Sequence, residues 1–321
     1  MMKKVAILCG TTKAGSTSLY EYLVDHPNVK VPIIKELAYF MDTDLKKAIG
    51  TDIPYHHESH PNSFYEYFSD TKEQTECLYL DATPHYMYSK GAAQRIKDYF
   101  GPNTSLHIIF ILRNPTQRVI SWYYYGKQQG FIKDSMNFEN FLEQNVKEFV
   151  QNQAIHPSFT AIATGKYVAF IEPYYKIFEK EQISILFIDD LKTDTTKFIK
   201  GVAQKLGLNP NFYDAYNFTN HNKTEKTRNQ LLNQFYITIR GFILNNFNSV
   251  IRDFFIRIGR KYVSPLYKKV NRTKLEKEII NKATLASLNK YYQQSNEDLA
   301  ALVGEKLPWY SSPKNLDKHL K

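Results

Sequence analysis

The sequence predicts an α/β fold in three layers, with a central, mostly parallel sheet flanked by helices. Three observations carry that prediction. Val5 to Leu8 is an apolar run that breaks at Cys9-Gly10 and passes through a loop of small and hydroxyl residues. It resumes as Leu19, Tyr20, Leu23 and Val24 at helical spacing. Leu106 to Leu112 (LHIIFIL) is apolar without interruption, the pattern of a strand buried on both faces. It runs straight into RNPTQRVISWYYY, where Pro115 suits a first helical turn. ISILFIDDL, residues 183–191, reads as a strand ending in two aspartates, and the helical stretch Thr195 to Leu206 follows, closed by Gly207. Buried strands alternating with helices make a parallel sheet, whose ligands bind at the carboxyl ends of the strands.

The other elements fall between these. His26-Pro27 stops the first helix. Val29 to Ile34 is extended, KELAYFMD follows at 35–42, and residues 43–75 read as short helices. CLYLDATPHYMYS, residues 77–89, is a strand entering a Thr83-Pro84 turn, and Ala92 to Tyr99 is a helix. Residues 126–160 carry helical spacing, and Gly165 to Phe178 is a helix with Pro173 inside it. After Asn209-Pro210 the texture changes. HNKTEKTRN, residues 221–229, is polar and basic, and an apolar stripe (Leu231, Phe235, Ile239, Phe242, then Phe247, Val250, Ile251, Phe254, Ile258) recurs at helical spacing with arginines between. Leu275 to Leu288 and the tail beginning LNKYY read as two further helices, the second closed by Gly304 and Pro308. No repeat or low-complexity linker divides the chain. Residues 1–321 therefore read as a single domain with a helical C-terminal decoration, including a basic helical insertion at about 230–275.

Composition narrows the function classes. No run approaches the roughly 18–20 apolar residues that span a bilayer. In MMKKVAILCG the apolar stretch is too short for a signal-peptide core, so it reads as the first core strand of a cytoplasmic protein. Cys9 and Cys77, the two cysteines, read as buried free thiols and exclude a disulfide framework. The net charge of +10 is concentrated: between Lys223 and Lys282 there are 14 Lys/Arg and 4 Asp/Glu, and the remainder of the chain is balanced. A localised basic face implies an anionic partner. Three readings of the basic helical region stand: core packing with a solvated cationic face, a basic groove for an anionic saccharide, or an interfacial helix in peripheral contact with an anionic membrane.

The first loop carries the clearest chemistry. In TTKAGSTS, Gly15 permits close backbone approach, and the amides of Ala14, Gly15, Ser16, Thr17 and Ser18 open a helix N-terminus that suits phosphate. Lys13 adds a full charge, but it precedes Gly15, whereas the nucleotide triphosphate loop has Gly-Lys-Ser/Thr at the helix start. A second anion site is marked by Arg113 after the buried strand and Ser121 two turns into the next helix. A plain reading also stands: a Ser/Thr-rich cap with a solvated lysine, and an arginine at the sheet edge. A P-loop-type nucleotide kinase or NTPase would need a magnesium carboxylate, for which Asp81 and Asp189 are candidates, and a differently placed lysine. A basic nucleic-acid-binding protein would show base-stacking aromatics among its arginines, whereas these aromatics follow the apolar stripe, so nucleic acid is not an expected partner. The nine histidines are scattered, and no metal-ligand cluster is expected.

Together the two constellations resemble the sulfotransferases that use 3′-phosphoadenosine 5′-phosphosulfate (PAPS), a family with a P-loop-like fold. TTKAGSTSL is similar to that family's 5′-phosphosulfate loop, and FILRNPTQRVISWYYY to its 3′-phosphate motif. The likeness continues in IIKELAYF, DATPHYMY, YYKIFEKEQISILFIDDL and the tail, and stops at roughly 40–75 and 230–275. It is strongest to the carbohydrate branch, the heparan-sulfate-type enzymes and their bacterial relatives. The resemblance implies sulfuryl transfer to a hydroxyl or amine of a saccharide or glycoconjugate, with PAP as product and no metal. It assigns Lys13 to the leaving group and Glu36 to the acceptor proton, with Arg113 and Ser121 on the 3′-phosphate. The late loop implies Lys223, Lys226 and Arg228 near the adenosine. Lys35, Thr83, Pro84, His85 and Tyr86 fall on segments that would line the acceptor. The family's Lys-Gly-Arg run and nearby disulfide are missing here, which argues against a Golgi-lumen enzyme.

Overall fold

Strands β1 (Lys3–Gly10), β2 (Val29–Lys30), β3 (Leu78–Asp81), β4 (Thr104–Leu112) and β5 (Ile183–Phe187) pair in parallel in the order β2-β3-β1-β4-β5. The computed structural model describes residues 2–32, 35–48, 64–68, 77–150, 160–218, 225–229, 258–274 and 278–311, with short pieces between 231 and 255. The chain builds from β1 toward β3 on one side and crosses to β4 on the other. The order therefore reverses between β1 and β4, the position at which open parallel sheets take ligands outside the carboxyl ends of their strands.

Both faces of the sheet are covered, because the central strands alternate two apolar sets. Val5, Ile7, Ile108, Phe110 and Leu112 pack under residues Leu37 to Met41, Tyr86 and helix α6 (Val168–Ile177). Ala6, Leu8, Ile109 and Ile111 pack against α1 (Ser16–Val24), α7 (Ile188–Thr193) and α8 (Thr195–Lys205). A third cluster joins α4 (Pro115–Gln129) and α5 (Phe138–Val150) to the long helix Lys282–Val303 through Tyr123, Phe138, Phe141, Leu285 and Tyr292. Of the remaining helices, α2 is Thr43–Ala48 and α3 is Ala92–Phe100.

Several boundaries differ from expectation. Strand β5 stops at Phe187, and Asp189 and Asp190 lie in the first turn of α7, where acidic side chains face a helix N-terminus. The two expected C-terminal helices are one, beginning at Lys282 because the Asn281 side chain caps it by accepting from Ala283 N at 2.8 Å. In segment 35–42, for which the sequence names no element, the apolar side chains fold inward through a turn at Ala38, whose φ is 54°. Cys9 is buried but Cys77 only partly so, and both are free thiols.

The basic insertion forms a unit of its own. β6 (Glu225–Thr227) pairs antiparallel with β7 (Arg272–Lys274), which directly follows the helix Ser264–Asn271. Asn271 closes the join by accepting from Asn229 N at 2.7 Å and donating to Asn229 O at 3.0 Å. Tyr236 and Tyr267 stack with ring centroids 4.2 Å apart. The reading of this region's apolar stripe as core packing does not hold at its described positions. Leu231, Phe235, Ile239 and Phe242 are all exposed, since the sheet's faces are already covered by other helices. Phe247, Val250, Ile251 and Phe254 lie outside the described residues.

Candidate functional site

The loop between β1 and α1 lies at the reversal point. Thr11 N donates to Ile111 O of β4 at 2.9 Å, tying the loop to the neighbouring strand. Lys13 and Gly15 both have left-handed backbones, with φ of 65° and 96°. For lysine that conformation costs about 1–2 kcal/mol. An added Cβ at Gly15 would crowd Ile188 at 3.2 Å, so that side chain would have to give way. The first α1 hydrogen bond runs from Leu19 N to Gly15 O, so the amides of Gly15 to Ser18 precede it without intrahelical acceptors. The result is a row of N–H donors at the positive end of a helix dipole. Ala14, Ser16 and Ser18 are buried, and Thr17 is partly exposed.

Four cations surround that row. Lys13 Nζ lies 3.7 Å from the centroid of the Tyr125 ring. Lys35 Nζ donates to Thr17 Oγ1 at 3.0 Å. Arg113 donates to Lys13 O at 3.4 Å, and its own carbonyl accepts from Tyr167 at 2.8 Å. Arg118 is buried and holds the loop from behind. Its guanidinium donates to Thr12 O (3.0 Å), Thr12 Oγ1 (3.3 Å), Ala161 O (3.1 Å), Tyr88 Oη (2.8 Å) and Thr164 Oγ1 (3.2 Å). Tyr88 also pairs with Thr11 Oγ1. Desolvation, followed by repulsion from Arg113 and Arg118, lowers the Lys13 pKa to about 7. Burial likewise lowers that of Arg113, against the opposing pull of Tyr167 and Asp189. A crevice that discourages its own cations in this way is built to receive an anion.

Arg118 was not singled out by sequence, although the spacing Arg-Asn-Pro-x-x-Arg carries it. Replacing it with methionine is expected to lower stability by about 2–4 kcal/mol, because Thr12 O and Ala161 O lose their donor in a dry setting. Urea unfolding measures this, and an unmoved midpoint would mean that the carbonyls find other donors.

The second wall is built on Asp81 at the end of β3. This carboxylate is fully buried and accepts from Thr83 Oγ1 at 2.8 Å and Tyr86 Oη at 2.7 Å. Burial raises its pKa to about 6, against those two bonds, and the charge of Glu36 adds to the rise. The same side chains fasten segment 36–42: Ala38 N donates to Thr83 Oγ1 (3.1 Å) and Phe40 N to Tyr86 Oη (3.3 Å). Asp42 N donates to Ser89 Oγ at 2.8 Å, and Arg95 bonds both Phe40 O and Asp42. These bonds present the half-exposed Glu36 beside His85, with Oε2 and Nδ1 3.7 Å apart. That is too long for a hydrogen bond, and Nδ1 is buried with no bonding partner.

The structure thus brings together Lys13, the loop to Ser18, Lys35 and Arg113, and separately Glu36, Thr83, His85 and Tyr86. Pro84 opens the short turn that carries His85 and Tyr86. Lys35, expected beside the acceptor, bonds instead to the phosphate-type loop through Thr17. Ser121 is partly exposed on α4, and β6 runs beside that helix, so the late strand approaches the element that holds Ser121. In that strand the Lys226 side chain lies outside what is described, whereas Arg228 is exposed and its amide donates to Asn271 O at 2.9 Å. Lys223 lies outside the described residues. Among the described residues no three His, Cys, Asp or Glu side chains gather as a metal site would require.

Comparison with known proteins agrees with this geometry. A family model described as "Sulfotransferase domain" matches residues 3–249. Mouse heparan sulfate glucosamine 3-O-sulfotransferase 5 is 24% identical over 308 residues, covering 95% of this chain and 73% of the relative. Human bifunctional heparan sulfate N-deacetylase/N-sulfotransferase 3 is 22% identical over 223 residues, 67% of this chain and 24% of the relative. The solved sulfotransferase from Alicyclobacillus acidocaldarius superposes with a TM-score of 0.64 at 17% identity, covering 97% of this chain and 100% of that one, which establishes a shared fold.

Proposed function

The chain belongs to the sulfotransferase family, and from that premise we propose that it transfers a sulfuryl group from PAPS to a hydroxyl or amine of a saccharide or glycoconjugate, releasing PAP. The observation that carries this reading is the meeting of the Lys13 loop and Arg113 at the carboxyl ends of adjacent strands, with Glu36 fixed on the other wall. The heparan sulfate acceptors of the relatives support a sugar as the acceptor class. A nucleotide kinase is not favoured, because Lys13 stands ahead of Gly15 rather than after it.

The residues divide the work. The amides of Gly15 to Ser18, with Ala14 in the turn, hold the 5′-phosphate, and Lys13 and Lys35 carry the charge above it. Arg113 and Ser121 hold the 3′-phosphate, with Lys226 arriving on β6 and Arg228 just after it. The acceptor oxygen or nitrogen attacks sulfur in line, a new bond to sulfur forms, and the bond between sulfur and the bridging phosphate oxygen breaks. Glu36 takes the acceptor proton, and Lys13 stabilises the charge left on phosphate. Thr83, Pro84, His85 and Tyr86 shape the acceptor side. The free thiols Cys9 and Cys77 support a cytoplasmic setting.

Incubation with radiolabelled PAPS and a panel of saccharides, glycolipids and small alcohols tests the reading. Label is expected on a sugar. Transfer only to small alcohols would overturn the acceptor class, and failure to bind PAP would overturn the donor.

A further inference from the structure

The insertion unit exposes two apolar edges. Leu231, Phe235 and Ile239 recur every fourth residue and are 81%, 63% and 44% exposed. Val263, Leu266 and Val270, spaced by three and four, are 46%, 64% and 53% exposed. The Tyr236–Tyr267 stack holds the two segments side by side. They belong to the stretch with 14 basic and 4 acidic residues. Five of the six are branched aliphatics, which supply neither the hydrogen bonds a sugar needs nor a face to stack on nucleobases, and Phe235 is the one aromatic among them. Apolar edges in a stretch whose sequence is strongly basic match the boundary between lipid headgroups and acyl chains. No described helix is long and apolar enough to cross a membrane.

We propose that this unit docks the protein on an anionic lipid bilayer. The two apolar edges enter between the headgroups, and the surrounding arginines and lysines meet the lipid phosphates. This contact stands apart from the transfer chemistry, since none of the six edge residues has a place in the donor or acceptor site.

The full chain is sedimented with vesicles of phosphatidylcholine alone and with vesicles in which phosphatidylglycerol is a minority component. It is expected to bind the second and not the first. The double variant Phe235→Ser/Leu266→Ser is expected to bind anionic vesicles at least about tenfold more weakly, while sulfuryl transfer to a soluble acceptor is unchanged and so reports intact folding. Absence of binding to anionic vesicles overturns the proposal, as does binding that the double variant leaves intact, which would make the contact purely electrostatic. A dimer in analytical ultracentrifugation that the same variant dissociates also overturns it, because a second copy would then cover the edges.

Discussion

Lys13→Ala is expected to reduce turnover by about 10²–10³-fold, the scale of removing one preorganised group that stabilises departing charge. Its environment supports so large a value. The ammonium lies over the Tyr125 ring, and Arg113 and Arg118 add a repulsion that an anion relieves. The same argument gives a pH signature. In the free protein the Lys13 pKa is lowered to about 7, so at pH above that value the side chain is mostly neutral. An arriving phosphate favours the ammonium and raises the pKa. PAP binding at alkaline pH should therefore take up a proton, and affinity should fall as pH rises through and beyond about 7. Calorimetry in buffers of different ionisation heat reads the uptake directly, and Lys13→Met should abolish it. Heats independent of buffer, or an alanine variant with undiminished turnover, would remove Lys13 from its role.

Glu36→Gln is expected to lower kcat by about 10²–10⁴-fold, the usual worth of a positioned base, while PAP affinity stays unchanged. The two effects separate because the segment that follows Glu36 is fastened to the β3 wall, where Ala38 N and Phe40 N donate to Thr83 and Tyr86, and the carboxylate lies beside His85. Full activity would move the base elsewhere. His85 is the nearest alternative, and Glu36→Gln with His85→Ala would then distinguish them.

What could be read from sequence was whatever lies close along the chain. Lys13 ahead of Gly15, a buried strand before Arg113 and a serine eight residues on are local patterns, and the structure sets them where the spacing implies. The unread part of the site depends on distant partners. Arg118 meets Thr12, 106 positions away, and Tyr125 covers Lys13, so neither contact has any periodic trace. Lys35 is another case: its place beside Glu36 in sequence gives no sign that its long side chain reaches Thr17. The apolar stripe after Leu231 illustrates a different limit. Helical spacing tells which residues share a face, but not whether protein or something else lies opposite.

The bond from Thr11 N to Ile111 O and those from Arg118 to Thr12 have a consequence for synthesis of the chain. The Lys13 loop precedes β4 and α4 along the chain, yet its geometry is set by residues made about a hundred positions later. A nascent chain still short of α4 carries the whole loop sequence without the strand and guanidinium that shape it. The loop therefore takes its shape only when the non-local pairing of β1 with β4 is made, the step that topology renders slow. A cell could not assemble a nucleotide-binding fragment of this enzyme ahead of the sheet itself.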